Sequence, residues 1–124
     1  DLQQAIDLYS LLTGKSPDHI ESIESEQVNT AFFQVGESNI ELLEATSDDS
    51  PIAKFIKKNG RGGIHHICFN VDDIHSCLRE FKENGIRLIH EEPKQGAHGK
   101  LVAFLHPKST GGVLIELSQT QKPK

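Results

Sequence analysis

With 124 residues and ordinary apolar (35%) and charged (25%) fractions, the chain is expected to fold as one domain around one core. A formal net charge of −5, with lysines scattered along the sequence, argues against a nucleic-acid partner. The apolar runs are strand-sized, far below the ~20 residues of a membrane span, and the amino terminus does not resemble a secretory signal.

The first predicted element is an amphipathic helix. Asp1 suits a helix N-cap, and Gly14 suits its end. Apolar side chains recur between them at helical spacing, at Leu2, Ala5, Ile6 and Tyr9. Two segments that follow, 31–33 and 40–42, have the composition of strands. A linker helix is then predicted from Ser50 to Gly60, because a capping serine and a first-turn proline precede Ile52, Phe55 and Ile56 on one face.

The second half of the chain repeats this plan. A helix is predicted from Asp73 to Phe81, closing at Gly85, and strands at 103–105 and 115–117. Corresponding positions lie 71 to 75 residues apart, and the largest insertion falls in the loop 106–112. Loops tolerate insertions better than strands or helices do. The chain is therefore predicted to contain two diverged copies of one module.

The copies differ in one respect, since a strand at 64–71 precedes the helix of the second copy. We expect an equivalent strand upstream of Asp1 in the natural protein. The predicted fold is α+β, with paired βαβββ modules whose helices lie outside a mixed sheet. Its single domain would span 1–124, with module 1 at 1–46 lacking its first strand, the linker helix at 47–62 and module 2 at 63–119.

Strand alternation predicts which side chains face a common site. In the strand 64–71, residues 65, 67, 69 and 71 form the more apolar face, which is expected to lie under the helices. His66 is therefore predicted to point to the opposite face of the sheet. By the same rule Glu41 and Glu116 point away from their apolar neighbours. A buried carboxylate costs several kcal/mol unless a cation or hydrogen-bond donors compensate it. Each glutamate alone could equally face solvent, and His66 alone would more often be an ordinary hydrogen-bonded histidine.

The duplication of the glutamate favours a divalent-metal site formed by Glu41, His66 and Glu116. Imidazole and carboxylate ligands accept Co²⁺, Mn²⁺, Zn²⁺, Ni²⁺ or Fe²⁺. Cys68 and Cys77 are the only cysteines and are expected to be reduced thiols. An intracellular location, in bacterial cytoplasm or mitochondrial matrix, fits this composition. His19, His75 and His90 are interpreted as surface residues.

Five strings in fixed order resemble the methylmalonyl-CoA epimerase family of the vicinal oxygen chelate superfamily. They cover essentially the whole chain and lie at 40–44, 49–55, 63–67, 91–93 and 104–117. The resemblance implies an eight-stranded cupped sheet around a divalent ion, with cobalt or manganese favoured and zinc or nickel possible. It also implies an acyl-CoA substrate, interconversion of the 2R and 2S epimers of methylmalonyl-CoA, and a homodimer.

The resemblance maps the family's metal ligands onto His66, Glu116 and Glu41. The fourth family ligand, a histidine on the first strand, is absent from this sequence. Some relatives carry a glutamate, proposed as a base, where alignment puts Thr30. For this reaction we hypothesise that a metal-stabilised enolate forms when Glu116 removes a proton, and Glu41 is the candidate for the opposite face, although a metal-bound carboxylate is a weaker base.

Substrate contacts are expected from Lys108 and Ser109 in the longer hairpin and from His98, although an ordinary glycine-rich turn would explain that hairpin as well. The alternative functions are a glyoxalase I-type lyase, which uses the same proton abstraction, and a non-enzymatic binding protein of the same fold. An extradiol dioxygenase is less favoured because such enzymes usually have longer chains. The motif strings favour the epimerase among these functions.

Overall fold

A computed structural model of the chain describes residues 1–96 and 99–121 and divides it into two compact units, residues 1–63 and 64–124. The described helices are α1 (Leu2–Thr13), α2 (Pro51–Asn59) and α3 (Ile74–Glu83). The described strands are β1 (His19–Ile23), β2 (Val28–Val35), β3 (Ser38–Ala45), β4 (His66–Asn70), β5 (Lys94–Gln95), β6 (Lys100–Leu105) and β7 (Leu114–Thr120).

The caps predicted from the sequence define the helix ends. Asp1 and Asp73 accept hydrogen bonds from backbone N–H groups in the first turns of α1 and α3, and Ser50 does the same for α2. Gly14 ends α1 in the left-handed conformation (φ 73°), which glycine adopts at little cost. The three predicted helices are confirmed, with α3 ending at Glu83 and capped by Asn84, one residue before the predicted glycine.

The first unit is a three-stranded antiparallel sheet in the order β1-β2-β3. Helix α1 packs on the face that carries Ala31 and Phe33, both fully buried, and the Tyr9 ring lies 6.4 Å from that of Phe33. Helix α2 packs against β3 of the same unit, and its Ile52 side chain is buried. Odd-numbered residues of β2 therefore belong to the helix face, and even-numbered residues belong to the other face.

The second unit has a four-stranded sheet in the order β4-β7-β6-β5, in which β4 and β7 run parallel. Helix α3 covers β6 and β7. Its core consists of buried residues from the helix and from those two strands, namely Ile74, Leu78, Ala103, Leu105 and Leu117. The strand that precedes the helix, as predicted, adds a parallel partner to the last strand of this unit.

Edge strand β4 is less covered than its apolar composition suggests. Its register pairs Ile67 with Ile115 and Phe69 with Leu117, so both side chains lie on the helix side, as predicted. Ile67 is nevertheless 42% exposed and Phe69 55% exposed. The reason is geometrical, because α3 packs mainly on β6 and β7, which lie beside β4 in the sheet.

Each unit ties the amino end of its helix to its last strand. In the first unit the Glu44 carboxylate accepts a hydrogen bond from the Leu2 backbone N–H (2.7 Å). In the second, the Gln119 side-chain oxygen accepts one from the Ile74 N–H (2.8 Å). These N–H groups have no partner within the helix, so both bonds satisfy an otherwise orphaned donor. Duplicated positions thus perform the same structural task.

Neither Cys68, exposed on β4, nor Cys77, half-buried on α3, forms a disulfide. Burial raises the pKa of the Cys77 thiol, and nearby carboxylates add to this effect. Both observations agree with the predicted reduced state. Among the described residues, every helix is too short or too polar to span a membrane.

Replacing Glu44 with glutamine should remove a charge interaction and keep the hydrogen-bond acceptor. The Leu2 N–H bond lowers the pKa of Glu44, so its stabilisation is present above the ordinary value of 4.5 and is lost as pH falls through the folded-state value. We expect E44Q to cost about 0.3–1 kcal/mol at pH 7 and less at pH 3.5. Guanidinium unfolding at both pH values measures this difference.

The opposite substitution at the equivalent position of the second unit is the control. Q119E should stabilise the protein at pH 7 by a similar amount. E44L should cost more, roughly 1–3 kcal/mol, since it leaves the N–H unsatisfied. An E44Q deficit that is equal at pH 7 and pH 3.5 would contradict the charge argument.

Candidate functional site

Glu116 lies on the sheet face opposite the core of the second unit. Its neighbours in the chain, Ile115 and Leu117, face α3, and Leu117 is only 2% exposed. The register pairs Glu116 with Phe104 on β6 and with Cys68 on β4. Glu116 is therefore in a central strand, on the face that strand alternation predicts.

His66, the first residue of β4, shares this face. Its Nε2 atom lies 3.7 Å from Glu116 Oε1, and the side chains are 23% and 19% exposed. The distance exceeds that of a hydrogen bond. The two side chains are therefore close and largely shielded from solvent, at a separation that forms an ion pair when His66 is protonated.

The pair fits the coordination of a divalent cation. Nitrogen and oxygen ligands lie about 2.0–2.2 Å from zinc-like ions, so two ligands of one ion are at most ~4.4 Å apart. The observed 3.7 Å satisfies this limit. An imidazole with a carboxylate is also a donor set that suits several divalent metals.

His65 departs from the predicted alternation. Its Nδ1 atom lies 2.9 Å from Nδ1 of His66, and the two rings meet edge to face at 5.1 Å. The prediction that His65 faces the helix side, away from His66, is wrong because the chain adopts strand geometry only from His66 onward. Burial, and secondly the charge of His66, lower the pKa of His65.

Glu41 occupies the equivalent position in the first unit. The register pairs it with Phe32, just as Glu116 pairs with Phe104. Phe33, one residue along, packs on α1, so Glu41 points away from that helix. It is exposed in its own sheet. The structure therefore confirms the face predicted for this residue from strand alternation.

Within residues 1–96 and 99–121, no group of three or more His, Cys, Asp or Glu side chains is arranged to hold a metal ion. Of the three predicted ligands, the structure brings His66 and Glu116 together within one unit. Glu41 belongs to the other unit, where only its position in the sheet is described.

The predicted substrate contacts lie in a hairpin that is closed by its own bonds. The loop contains a short 3-10 helix, Pro107–Ser109, and His106 Nδ1 accepts from the Lys108 N–H. Ser109 Oγ accepts a hydrogen bond from the Arg87 N–H (2.9 Å), so its hydroxyl has a structural task. Lys108 is exposed. His98 lies outside the described residues.

Two histidines interpreted as surface residues have partners in duplicated positions. The rings of His19 and Phe32 lie 5.8 Å apart, and so do those of His90 and Phe104. The two histidines are 71 residues apart, the repeat offset of the chain. His90 is half-buried, and its Nδ1 accepts the Phe104 N–H (3.2 Å), so the surface interpretation is wrong for His90. The repeat offset in the sequence was the signal that could have identified His19 and His90 as equivalent residues.

Thr30, the position that aligns with a glutamate of some relatives, is buried at 1% exposure. Its hydroxyl donates to the Glu21 carbonyl oxygen (3.3 Å). On β1, the neighbouring Glu21 carboxylate lies 3.3 Å from His19 Nε2. Thr30 and Glu21 face each other across the β1–β2 register, on the same side of the sheet as Glu41.

Comparison with known proteins identifies the family. The model of the glyoxalase/bleomycin resistance protein/dioxygenase superfamily matches residues 1–104. The chain belongs to this superfamily. A mitochondrial methylmalonyl-CoA epimerase of Dictyostelium discoideum is 45% identical over 119 residues, 96% of this chain and 72% of that protein. The chain is thus a member of the methylmalonyl-CoA epimerase family, and the family predicted from the motif strings is confirmed.

Two further relatives of this family extend the likeness. An ethylmalonyl-CoA/methylmalonyl-CoA epimerase of Cereibacter sphaeroides is 47% identical over 104 residues, 83% of this chain and 72% of that protein. The structure of a Streptomyces coelicolor methylmalonyl-CoA epimerase variant in complex with 2-nitronate-propionyl-CoA is 32% identical, with a TM-score of 0.79. The alignment covers 99% of this chain and 91% of that one. The predicted α+β fold of the superfamily is confirmed.

Proposed function

We propose that this protein interconverts the 2R and 2S epimers of methylmalonyl-CoA. The observation that carries the proposal is the His66–Glu116 pair, 3.7 Å apart on the non-core face of the sheet, in a chain whose relatives bear the epimerase name. The chemistry requires removal of a proton from the carbon between a thioester and a carboxylate. A carboxylate that is largely shielded from water and lies beside an imidazole suits this step.

His66 and Glu116 are the proposed ligands of a divalent cation, with Co²⁺ or Mn²⁺ favoured and Zn²⁺ or Ni²⁺ as alternatives. When bound, such an ion supplies Lewis-acid stabilisation to negative charge on the thioester oxygen. Glu41 is proposed as a third ligand. This assignment is supported by its duplicated register opposite Phe32 and by its orientation away from α1.

Glu116 is the proposed base that removes the proton from C2, leaving an enolate. The carboxylate has two oxygens, and Oε1 is the one that lies near His66. In its protonated form, Glu41 is the proposed proton donor to the opposite face of C2, since epimerisation requires a proton to return from the other side. Proton exchange with solvent then restores both carboxyl groups. Removing a positioned acid or base typically costs 10²–10⁴-fold in rate.

Other parts of the proposal concern recognition. Lys108, exposed in the second hairpin, is the proposed partner of the negatively charged coenzyme A portion, with Ser109 and His98 as further contacts. A homodimer and an intracellular location are also proposed, and the mitochondrial name of a relative supports the location.

Metal binding predicts a measurable gain in stability. Titration of the metal-free protein with Co²⁺ should raise the melting temperature by several degrees, because a ligand at 100 times its Kd stabilises the folded state by about 2.7 kcal/mol. H66N should abolish most of this shift. H75N is the matched control, since His75 lies on α3 and its side chain is 55% exposed. An equal shift in H66N and H75N would contradict the ligand assignment.

Replacing Glu116 with glutamine keeps the size of the side chain and removes its basicity. We expect E116Q to lose about 10²–10⁴-fold in turnover of methylmalonyl-CoA, and E41Q to lose turnover as well, because epimerisation also requires the proton to return to the opposite face. E44Q is the matched control, because Glu44 is three residues from Glu41 and bonds to the amino end of α1. Near-normal epimerisation by E116Q would eliminate Glu116 as the base.

One assay distinguishes the proposed activity from the alternatives. Exchange of deuterium into C2 of methylmalonyl-CoA in heavy water, measured with and without Co²⁺, should occur with this protein. The hemithioacetal of glutathione and methylglyoxal, tested in parallel, should not be converted. Conversion of that substrate alone would indicate a glyoxalase, and inertness toward both would indicate a binding protein.

A further inference from the structure

The contact between His65 and His66 restricts where their protons lie. Two ring nitrogens 2.9 Å apart form a hydrogen bond only when one carries a proton and the other presents a lone pair. Two bare nitrogens would repel each other, and so would two N–H groups. One proton is therefore shared between the two Nδ1 atoms.

The direction of this bond decides what the other nitrogen of His66 can do. If His65 donates, neutral His66 carries its own proton on Nε2, which then has no lone pair for a cation. If His66 donates, its Nε2 lone pair is available on the side of Glu116, 3.7 Å from Oε1. Only the second arrangement allows His66 to bind a metal through Nε2 beside Glu116.

We propose that His65 is a positioning residue, which accepts the Nδ1 proton of His66 and thereby presents Nε2 of His66 as a metal ligand. This inference rests on the metal site of the proposed function. Metal-binding histidines commonly donate their second ring N–H to such an outer partner, which sets both tautomer and ring orientation. His65 uses a ring nitrogen as the acceptor in place of a carboxylate or carbonyl.

The packing around His66 supports a fixed ring. His65 meets it edge to face at 5.1 Å with an interplanar angle of 89°, and Phe104 lies 6.1 Å away at 66°. The ring is thus held by two neighbours, while Nε2 is directed toward Glu116. Phe104 is also the register partner of Glu116. Phe104 therefore neighbours His66 through its ring and Glu116 through strand pairing.

The direct test is to locate the shared proton. Long-range ¹H–¹⁵N spectra of the metal-free protein distinguish a protonated from an unprotonated ring nitrogen at each histidine. We expect Nδ1 of His66 to carry the proton and Nδ1 of His65 to be unprotonated. In protein loaded with Zn²⁺, the Nε2 signal of His66 should shift and its Nδ1 should remain protonated. A proton on Nδ1 of His65 in either sample would overturn the proposal.

Two substitutions of His65 distinguish the loss of its hydrogen-bond acceptor from the loss of its ring. H65F keeps the ring and removes the acceptor, so it should weaken Co²⁺ binding about 10–100-fold, measured by visible absorption of the cobalt complex. H65N keeps an acceptor oxygen at the position of Nδ1 and should bind Co²⁺ within about threefold of the parent. H75F is the matched control for the loss of a histidine and should leave the affinity unchanged.

Equal affinities of H65F and the parent would overturn the proposal, as would equal losses in H65F and H65N. Failure of the parent to bind Co²⁺ would instead remove the proposed function. The proton location in the metal-free protein would then still decide whether His65 or His66 is the acceptor. The two failures are therefore distinguishable.

Discussion

The strand register of β6 and β7 is the constraint on which the candidate site depends. Pairing of Phe104 with Glu116 places Ala103, Leu105 and Leu117 in the core beneath α3. Because the pleat alternates, Glu116 is then held on the opposite face. A slip of one residue would bury the carboxylate and expose the core, so the same hydrophobic burial that stabilises the unit also orients its candidate base.

Strand register orients a glutamate in each of the two units, but the second unit has an additional feature. Glu41 repeats the position of Glu116, and Glu44 and Gln119 tie the two helices to their last strands in the same way. In the second unit, however, the parallel strand β4 supplies His66 next to the glutamate. Equivalent positions in the two units thus carry glutamates, and in the second unit the strand that precedes the helix adds an imidazole beside one of them.

A histidine at the start of an edge strand would ordinarily have a mobile ring. Contacts with His65 and Phe104 restrict His66, so little ordering is required before it acts. Such preorganisation matters for a reaction in which charge develops on a thioester oxygen, since groups already in place incur no reorganisation cost at the moment of reaction. The extra positioning contact comes from a residue adjacent in sequence.

Local signals in the sequence were sufficient for the helices, the repeat and the faces of the glutamates. Capping residues at Asp1, Ser50 and Asp73 and the alternation around Ile115 and Leu117 act through near neighbours, so a sequence pattern contains them. The family could also be recognised from the order of its motif strings.

Only the tertiary structure decided the surroundings of these residues. The contact of His65 with His66 depends on where β4 begins, and the packing of His90 on Phe104 depends on pairing with a distant strand. The exposure of Ile67 and Phe69 depends on how far α3 extends over the sheet. Sequence alternation assigns a side chain to a face, whereas its neighbours on that face are determined by elements that lie far away in the chain.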